Sequence, residues 1–164
     1  MLPEAARTLA LVLEVHSGDP WHGYSTRRIL DGVTAAQAAA RPASGAHSIW
    51  EIVLHMTGWT REISSRLRGG EPKDPEAGDW PEVGEPAGER WTAALAALDE
   101  AQRELGLAAW EVADTAWLTE PRAARDPSLG SGKTLLATLE GLALHHAYHA
   151  GQIALLRRAG AEGR

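Results

Sequence analysis

Residues 134–159 read TLLATLEGLALHHAYHAGQIALLRRA, and this stretch indicates the kind of fold the chain adopts. Its apolar and histidine residues recur at intervals of three and four, which is the period of one face of an α-helix. The pattern predicts a long amphipathic helix from about Thr134 to Ala159, ended by Gly160. Its predicted inner face comprises Leu135, Leu139, Leu142, His146, His149, Ile153 and Leu156.

A second long helix is predicted to start at Ser48. Ser48 and Glu51 have the spacing of a capping box, in which each side chain accepts a hydrogen bond from a free backbone N–H at the helix start. The pair Gly69-Gly70 is expected to end this helix. Between these signals one apolar stripe follows a helical period: Ile49, Ile52, Met56, Trp59, Ile63 and Leu67.

Two further segments show helical periodicity. Residues 3–16 predict a helix, because Leu2, Ala6, Leu9, Leu13 and His16 recur at intervals of three and four. Residues 89–113 predict another, with Trp91, Leu95, Leu98, Leu105 and Val112 inward.

The segments between the helices contain breakers and no alternating strand pattern. Residues 71–88 are rich in Gly, Pro, Asp and Glu, which predicts a long surface loop, and short helical turns are predicted at 25–30 and 34–40. A simple up-and-down bundle needs only short loops, so the long loop indicates a crossover or a lid. We therefore predict an all-α fold, in which four long helices bury their stripes against one another as a four-helix bundle.

Composition limits the classes of function. The chain of 164 residues has a formal net charge of −6, which argues against broad binding of nucleic acid, and its length fits a single domain over residues 1–164. The lack of cysteine excludes disulfides, a cysteine nucleophile and a cysteine-ligated zinc site. We see neither a membrane-spanning apolar run nor a signal peptide, so we expect no membrane association and a cytoplasmic location.

The histidines of the fourth helix are the main candidates for chemistry. His145 and His149 are four residues apart, so they lie on one helix face and both rings can reach one ion about 2 Å from each nitrogen. His146 and His149 are three apart and offer a second pairing. A third ligand must come from another helix, and His55 in the middle of the second long helix is the best candidate. The competing interpretation is that these are packed histidines satisfied by hydrogen bonds.

The other three histidines give weaker signals. His16, His22 and His47 lie near predicted helix ends or in loops, so surface roles are expected for them.

Three stretches of the sequence resemble the DinB-like superfamily, also called DinB/YfiT-like, of small bacterial proteins regarded as metalloenzymes. They are Trp21-His22-Gly23-Tyr24-Ser25, the run from His47 through His55 to Trp59, and the run from His145 to Ile153. The resemblance implies a four-helix bundle of the DinB/YfiT-like type and one divalent metal ion, zinc or nickel, held by His55, His145 and His149. It also implies a homodimer, and for some relatives a small thiol as a second cofactor.

The sequence leaves three interpretations of function. The first is a metal-dependent enzyme, a hydrolase or a thiol transferase, that acts on a small-molecule substrate through an ion with an open coordination position. The second is a non-catalytic metal-binding stress-response protein. The third is a plain helical bundle with buried histidines. No general base is evident, although Glu51 lies one turn before His55 and is a candidate to orient it.

Overall fold

The computed structural model describes residues 3–42, 45–112, 116–121, 126–129 and 132–162. These contain helices and no β-strand. The helices are α1 (Pro3–Ser17), α2 (Thr26–Leu30), α3 (Ala35–Ala39), α4 (Ile49–Leu67), α5 (Gly88–Glu111) and α6 (Leu135–Glu162), with short 3₁₀ turns at Ala116–Leu118 and Pro127–Leu129. No helix in this part of the chain is long and apolar enough to cross a membrane.

The four long helices α1, α4, α5 and α6 form a closed bundle. Helix α4 packs against α5 and α6, and α1 packs against the same two helices from the other side. The short helix α2 packs on α1 and α6, while α3 packs on α4 and α5. The prediction of an all-α four-helix bundle is confirmed.

The predicted inner faces of α4, α5 and α6 are confirmed, because all their members are buried or half-buried. The end of α6 is different: the helix continues through Gly160 to Glu162. One glycine within a helix costs only about 1 kcal/mol relative to alanine, so it does not end a helix by itself. Helix α5 ends at Glu111, and Ala113, like Leu2 at the start of α1, lies outside the described residues.

The stripe predicted on α1 is correct only in part, because Ala6, Leu9 and His16 are buried or half-buried but Leu13 is not. The buried residues are Ala5, Thr8, Val12, Val15 and His16, whereas Leu13 is 41% exposed. Apolar residues surround most of this helix, so their period alone does not select a face. The selection comes from packing on α6, where the Thr8 hydroxyl donates a long hydrogen bond of 3.4 Å to Glu140.

Two apolar layers fill the bundle, and a polar layer separates them. One cluster contains Met56, Leu98 and Ile153, and the other contains Ile63, Leu105, Leu139 and Leu142. Between these positions on the three helices lie the buried polar side chains of Thr60, Gln102 and His146.

The capping box at the start of α4 is confirmed. The Glu51 N–H donates to Ser48 Oγ at 3.2 Å, and the Ser48 N–H donates to Glu51 Oε2 at 2.8 Å. Arg41 forms an ion pair with the same carboxylate. Burial opposes ionisation of Glu51, but the hydrogen bonds from Ser48 and the charges of Arg41 and His47 outweigh it, so its pKa lies below the ordinary value.

Ser48→Ala should lower the free energy of unfolding by about 1 kcal/mol, because a free backbone N–H at the helix start loses its acceptor. Urea denaturation measures the change. Ser65→Ala, at an exposed position on the same helix, is the matched control and should change stability much less. Equal losses in the two variants would contradict a role for the cap.

Candidate metal centre

Three histidine side chains meet between α4 and α6. Nε2 of His145 lies 2.9 Å from Nε2 of His55 and 3.0 Å from Nε2 of His149. Within the described ranges these three form the one group of metal-ligating side chains close enough to share an ion, with ligand atoms all within 4.8 Å of one another. A tetrahedral ion separates its nitrogen ligands by about 3.3 Å, so small ring rotations would accommodate it.

The long loop between α4 and α5 holds the ring of His55. Nδ1 of His55 donates to the backbone carbonyl of Asp79 at 2.8 Å, and the Asp79 carboxylate lies 3.1 Å from the same nitrogen. The Trp59 indole N–H donates to that carboxylate at 2.7 Å, which fixes the loop on α4. Glu51 is engaged by the helix cap, so the role of orienting His55 belongs to Asp79, which sequence reasoning missed.

Helix α6 itself holds the ring of His149. Nδ1 of His149 lies 2.6 Å from Oε1 of Gln152, three residues on, and the Gln152 amide in turn donates to the Tyr148 hydroxyl at 3.1 Å. Such hydrogen bonds from the remote ring nitrogen are the usual support of metal-ligating histidines.

These hydrogen bonds decide which ring nitrogens carry protons. Carbonyl oxygens only accept, so Nδ1 donates in both His55 and His149, and a neutral ring then has an unprotonated Nε2. The lone pairs on Nε2 of His55 and Nε2 of His149 both face Nε2 of His145, which can donate a hydrogen bond to only one of them. The buried Nδ1 of His145 has no hydrogen-bond partner among the described residues. A cation between the three rings would satisfy all the facing lone pairs, so the residues fit a metal ion.

His146 takes no part in this group. Its ring lies in the polar layer of the core, where the Gln102 amide donates to Nδ1 at 3.1 Å and Nε2 lies 3.1 Å from the Thr60 hydroxyl. Thr60 donates onward to the Met56 carbonyl at 2.7 Å, which completes the chain of hydrogen bonds. The structure therefore brings His145, and not its neighbour, to His55 and His149.

The remaining histidines lie in three different environments. His22 is exposed, as expected. His16 is only 4% exposed, and its Nε2 lies 2.9 Å from the Asp99 carboxylate. The expectation of a surface role for His16 was wrong, because the C-terminal end of α1 packs toward α5.

His47 lies beside the centre through Trp80. The Trp80 ring stacks on the His55 ring with centroids 4.0 Å apart, and His47 stacks on the opposite face of Trp80 at 3.6 Å. Sequence reasoning missed both residues. The one signal was a tryptophan in a loop rich in Gly, Pro and acidic residues.

Burial keeps the rings of His145 and His149 in the neutral form that binds metal. Burial lowers the pKa of His145 to about 4, and the imidazoles of His149 and His55 add to that effect. Burial also lowers the pKa of His149, against the opposing hydrogen bond with Gln152. The fully enclosed His146 likewise has a pKa well below the ordinary value, mainly because of burial.

A cleft of about 470 Å³ opens beside the histidines. His55 and His145 line it together with apolar side chains of α4 and α6, among them Trp59, Ile63 and Leu142. A small molecule held there would contact two of the three rings.

The model of the DinB superfamily matches residues 21–153 of this chain. The chain belongs to the DinB superfamily. No curated protein and no solved structure matches the chain. The match to the DinB family covers His55, His145 and His149, together with the Asp79 and Trp80 loop between α4 and α5.

His55→Ala, His145→Ala and His149→Ala should each remove most of the affinity for a divalent ion, because each takes away one of three nitrogen ligands. Gln152→Ala should weaken binding by about 10–100-fold, the usual cost of losing a side chain that orients a ligand. Competition with a chromophoric chelator measures these affinities. The exposed His22→Ala is the control, and loss of affinity there would argue against a defined site.

His146→Ala should affect stability and leave metal affinity unchanged, in contrast to the variants of the three ligand histidines. It should keep metal affinity but lower the free energy of unfolding by about 1–3 kcal/mol, since Gln102 and Thr60 are left with unpaired buried groups. Chelator competition and urea denaturation of the same variant separate the two effects. Abolished binding in His146→Ala, with binding retained in His145→Ala, would show that the ligand assignment is wrong.

The metal-free protein should lose stability as pH falls from about 7 to about 5. The pKa values of His145, His146 and His149 in the folded protein lie below the value of about 6.5 for an exposed histidine. The unfolded chain therefore binds more protons below about pH 6.5, and the free energy of unfolding falls with pH through that window. Urea denaturation in a chelator at several pH values measures it. His146→Gln should flatten the profile and His22→Gln should not; a flat wild-type profile would contradict the argument.

Proposed function

We propose that this member of the DinB superfamily is a metal-dependent enzyme that acts on a small molecule, as a hydrolase or as a thiol transferase. The observation that carries the proposal is the convergence of the Nε2 atoms of three histidines beside an apolar cleft. In the proposed complex His55, His145 and His149 hold one divalent ion per chain.

The donor set favours a transition-metal ion, and among these ions we propose zinc or nickel. Imidazole suits ions such as zinc, nickel, copper and iron, whereas magnesium and calcium prefer oxygen ligands. Three neutral rings add no negative charge and leave at least one coordination position free. When bound, the ion would supply positive charge and a position at which a water molecule or a thiol ionises near neutral pH.

The side chains around the histidines would orient them and exclude solvent. Asp79 and Gln152 hold the rings of His55 and His149, so the geometry exists before substrate arrives. The Trp80 ring covers one face of His55 and keeps water from that side.

The cleft supports a small-molecule substrate. Its volume of about 470 Å³ lies within the range of about 300–1,000 Å³ that is usual for ligand sites. Trp59, Ile63 and Leu142 would hold an apolar part of the substrate against His55 and His145. A purely structural ion would not need such a cleft, and this favours the enzyme over the non-catalytic interpretation.

Metal content is the first test of the proposal. Protein purified without a histidine tag and incubated with zinc or nickel should contain about one ion per chain by elemental analysis, because three histidines form one group. His149→Ala, treated in the same way, should contain almost none. A wild-type content near zero would contradict the proposal.

The second test is whether the bound ion is open to ligands. With cobalt in place of the native ion, an added thiol or azide should change the visible absorption spectrum, because three protein ligands leave room for it. Thiol-transfer and ester-hydrolysis substrates are then screened with His149→Ala as the inactive control. A spectrum unmoved by either ligand would favour the non-catalytic metal-binding protein instead.

A further inference from the structure

The cleft beside the metal centre is elongated and follows α4. On this helix its lining residues are His55, Trp59, Ile63 and Arg66, which recur at intervals of three and four and therefore lie on one face. From His55 to Arg66 the helix rises about 16 Å, at 1.5 Å per residue. The cleft therefore extends for about three helical turns away from the histidines.

Helix α6 lines the other side of the cleft and runs in the opposite direction. Met56 and Ile153 pack in one apolar cluster, whereas Leu67 and Leu135 pack in the other, so α4 and α6 are antiparallel. The segment just before α6 therefore lies beside the C-terminal end of α4.

Two cationic side chains, Arg66 and Lys133, line the end of the cleft that is remote from the histidines. Arg66 Nη1 donates to the carbonyl of Leu129 at 2.8 Å, which brings its guanidinium beside the segment that carries Lys133. Arg66 Nε also donates to both carboxylate oxygens of Glu62, at 2.9 and 2.6 Å, so the charge of Arg66 is neutralised. Lys133 is exposed and has no acidic partner within the described ranges, so its charge is uncompensated.

This end of the cleft is positive although the chain as a whole is negative. The chain has 22 acidic and 16 basic residues, yet Asp79 is the one acidic side chain among the described residues that line the cleft. Asp79 lies at the histidine end, where Trp59 and His55 hold its carboxylate. The side chain of Glu62 is only 2% exposed and does not line the cleft. Excess positive charge beside low-dielectric walls attracts an anionic ligand.

The middle of the cleft is apolar and has free space. Trp59, Ile63 and Leu142 line it, and Gly141 of α6 lies among them. A Cβ on Gly141 would meet no side chain within 4 Å beyond those of its neighbours in the chain, so the glycine leaves room for a ligand. A molecule that fills the cleft therefore needs an apolar body between two ends of different chemistry.

We propose that the substrate of this site is a small apolar molecule with one anionic group, a carboxylate, sulfonate or phosphate, at the end remote from the reacting group. Lys133 binds the anionic group, and the Arg66 guanidinium, held by Glu62, forms the wall behind it. Lys133 and Arg66 are called the anion subsite below.

The position of the reacting group rests on the function proposed above, because the metal ion would define that end of the cleft. The anion subsite itself does not need the ion, since Arg66 lies three helical turns from His55. The subsite is therefore tested in metal-free protein.

The first experiment uses two fluorescent probes that differ by one anionic group. 8-Anilinonaphthalene-1-sulfonate has a sulfonate on an apolar body, and N-phenyl-1-naphthylamine is the same body without the sulfonate. Each probe is titrated into the protein in the presence of a chelator. Lys133→Glu should lower the affinity for the sulfonate probe by about tenfold and change that for the neutral probe by less than twofold, because only the sulfonate meets the altered charge.

Two further variants control for charge and side-chain shape. Lys133→Arg should keep the affinity for the sulfonate probe, because the positive charge remains. Lys73→Glu makes the same change of charge at an exposed position outside the cleft, and it should leave both affinities within twofold of wild type.

The second experiment tests whether the probes lie in the cleft. Gly141→Leu fills its apolar middle and should weaken binding of both probes by more than tenfold. Gly88→Leu is the matched control, because a Cβ there also meets no neighbouring side chain, but Gly88 lies on α5 outside the cleft. Circular dichroism establishes that the variants are folded.

Chelator competition on the same variants separates this proposal from the proposed function. Lys133→Glu and Gly141→Leu should keep wild-type metal affinity, because neither residue is a ligand. Absence of sulfonate-probe binding to wild type, equal losses for both probes in Lys133→Glu, or binding that Gly141→Leu leaves intact would overturn the anion subsite, whether or not the protein binds metal. The expected probe results in a protein that binds no zinc or nickel would support the subsite and contradict the proposed function alone.

Discussion

The candidate metal centre depends on one contact between three histidine rings. His55 and His149 each present an unprotonated Nε2 to the ring of His145. The carbonyl of Asp79 and the amide oxygen of Gln152 fix the protons of His55 and His149 on the far side of each ring. A buried polar atom without a partner costs about 1–3 kcal/mol, so the folded chain carries an unfavourable contact that a bound cation would remove. Binding would then stabilise the folded state, because an ion held only by the folded chain adds its binding free energy to stability.

Neighbouring histidines on α6 serve opposite purposes. His145 points toward α4 and the cleft, whereas His146 points into the core, where Gln102 and Thr60 satisfy both of its nitrogens. One step along a helix turns the side chain by about 100°, which is enough to move it from one environment to the other. The polar layer around His146 also separates the two apolar layers and restricts how the helices align, because any shift would break its hydrogen bonds.

The loop between α4 and α5 is part of the centre as well as a connection. Asp79 and Trp80 lie against His55, and the near end of the loop lies against α4 at Gly58. A Cβ added to Gly58 would lie only 3.0 Å from Pro75, so the absence of a side chain permits this approach. Arg90 holds the far end by donating to the carbonyls of Val83 and Glu85. A loop fixed at both ends can hold a ring as firmly as a helix does.

The sequence by itself determined the helices and the pairing within one helix. The capping box at Ser48, the stripes of α4 and α6, and the shared face of His145 and His149 all follow from the period of 3.6 residues, which is local. The same local rule did not choose the face of α1 or the end of α6, because apolar residues surround α1 and a single glycine is tolerated in a helix. Only the tertiary structure decided that His55 lies opposite His145, that His146 belongs to the core, and that Asp79, Trp80 and His47 complete the surroundings. Those contacts join residues that are far apart in the chain. Their geometry depends on how the helices cross and where the long loop lies, and no periodic pattern in the sequence predicts either of these.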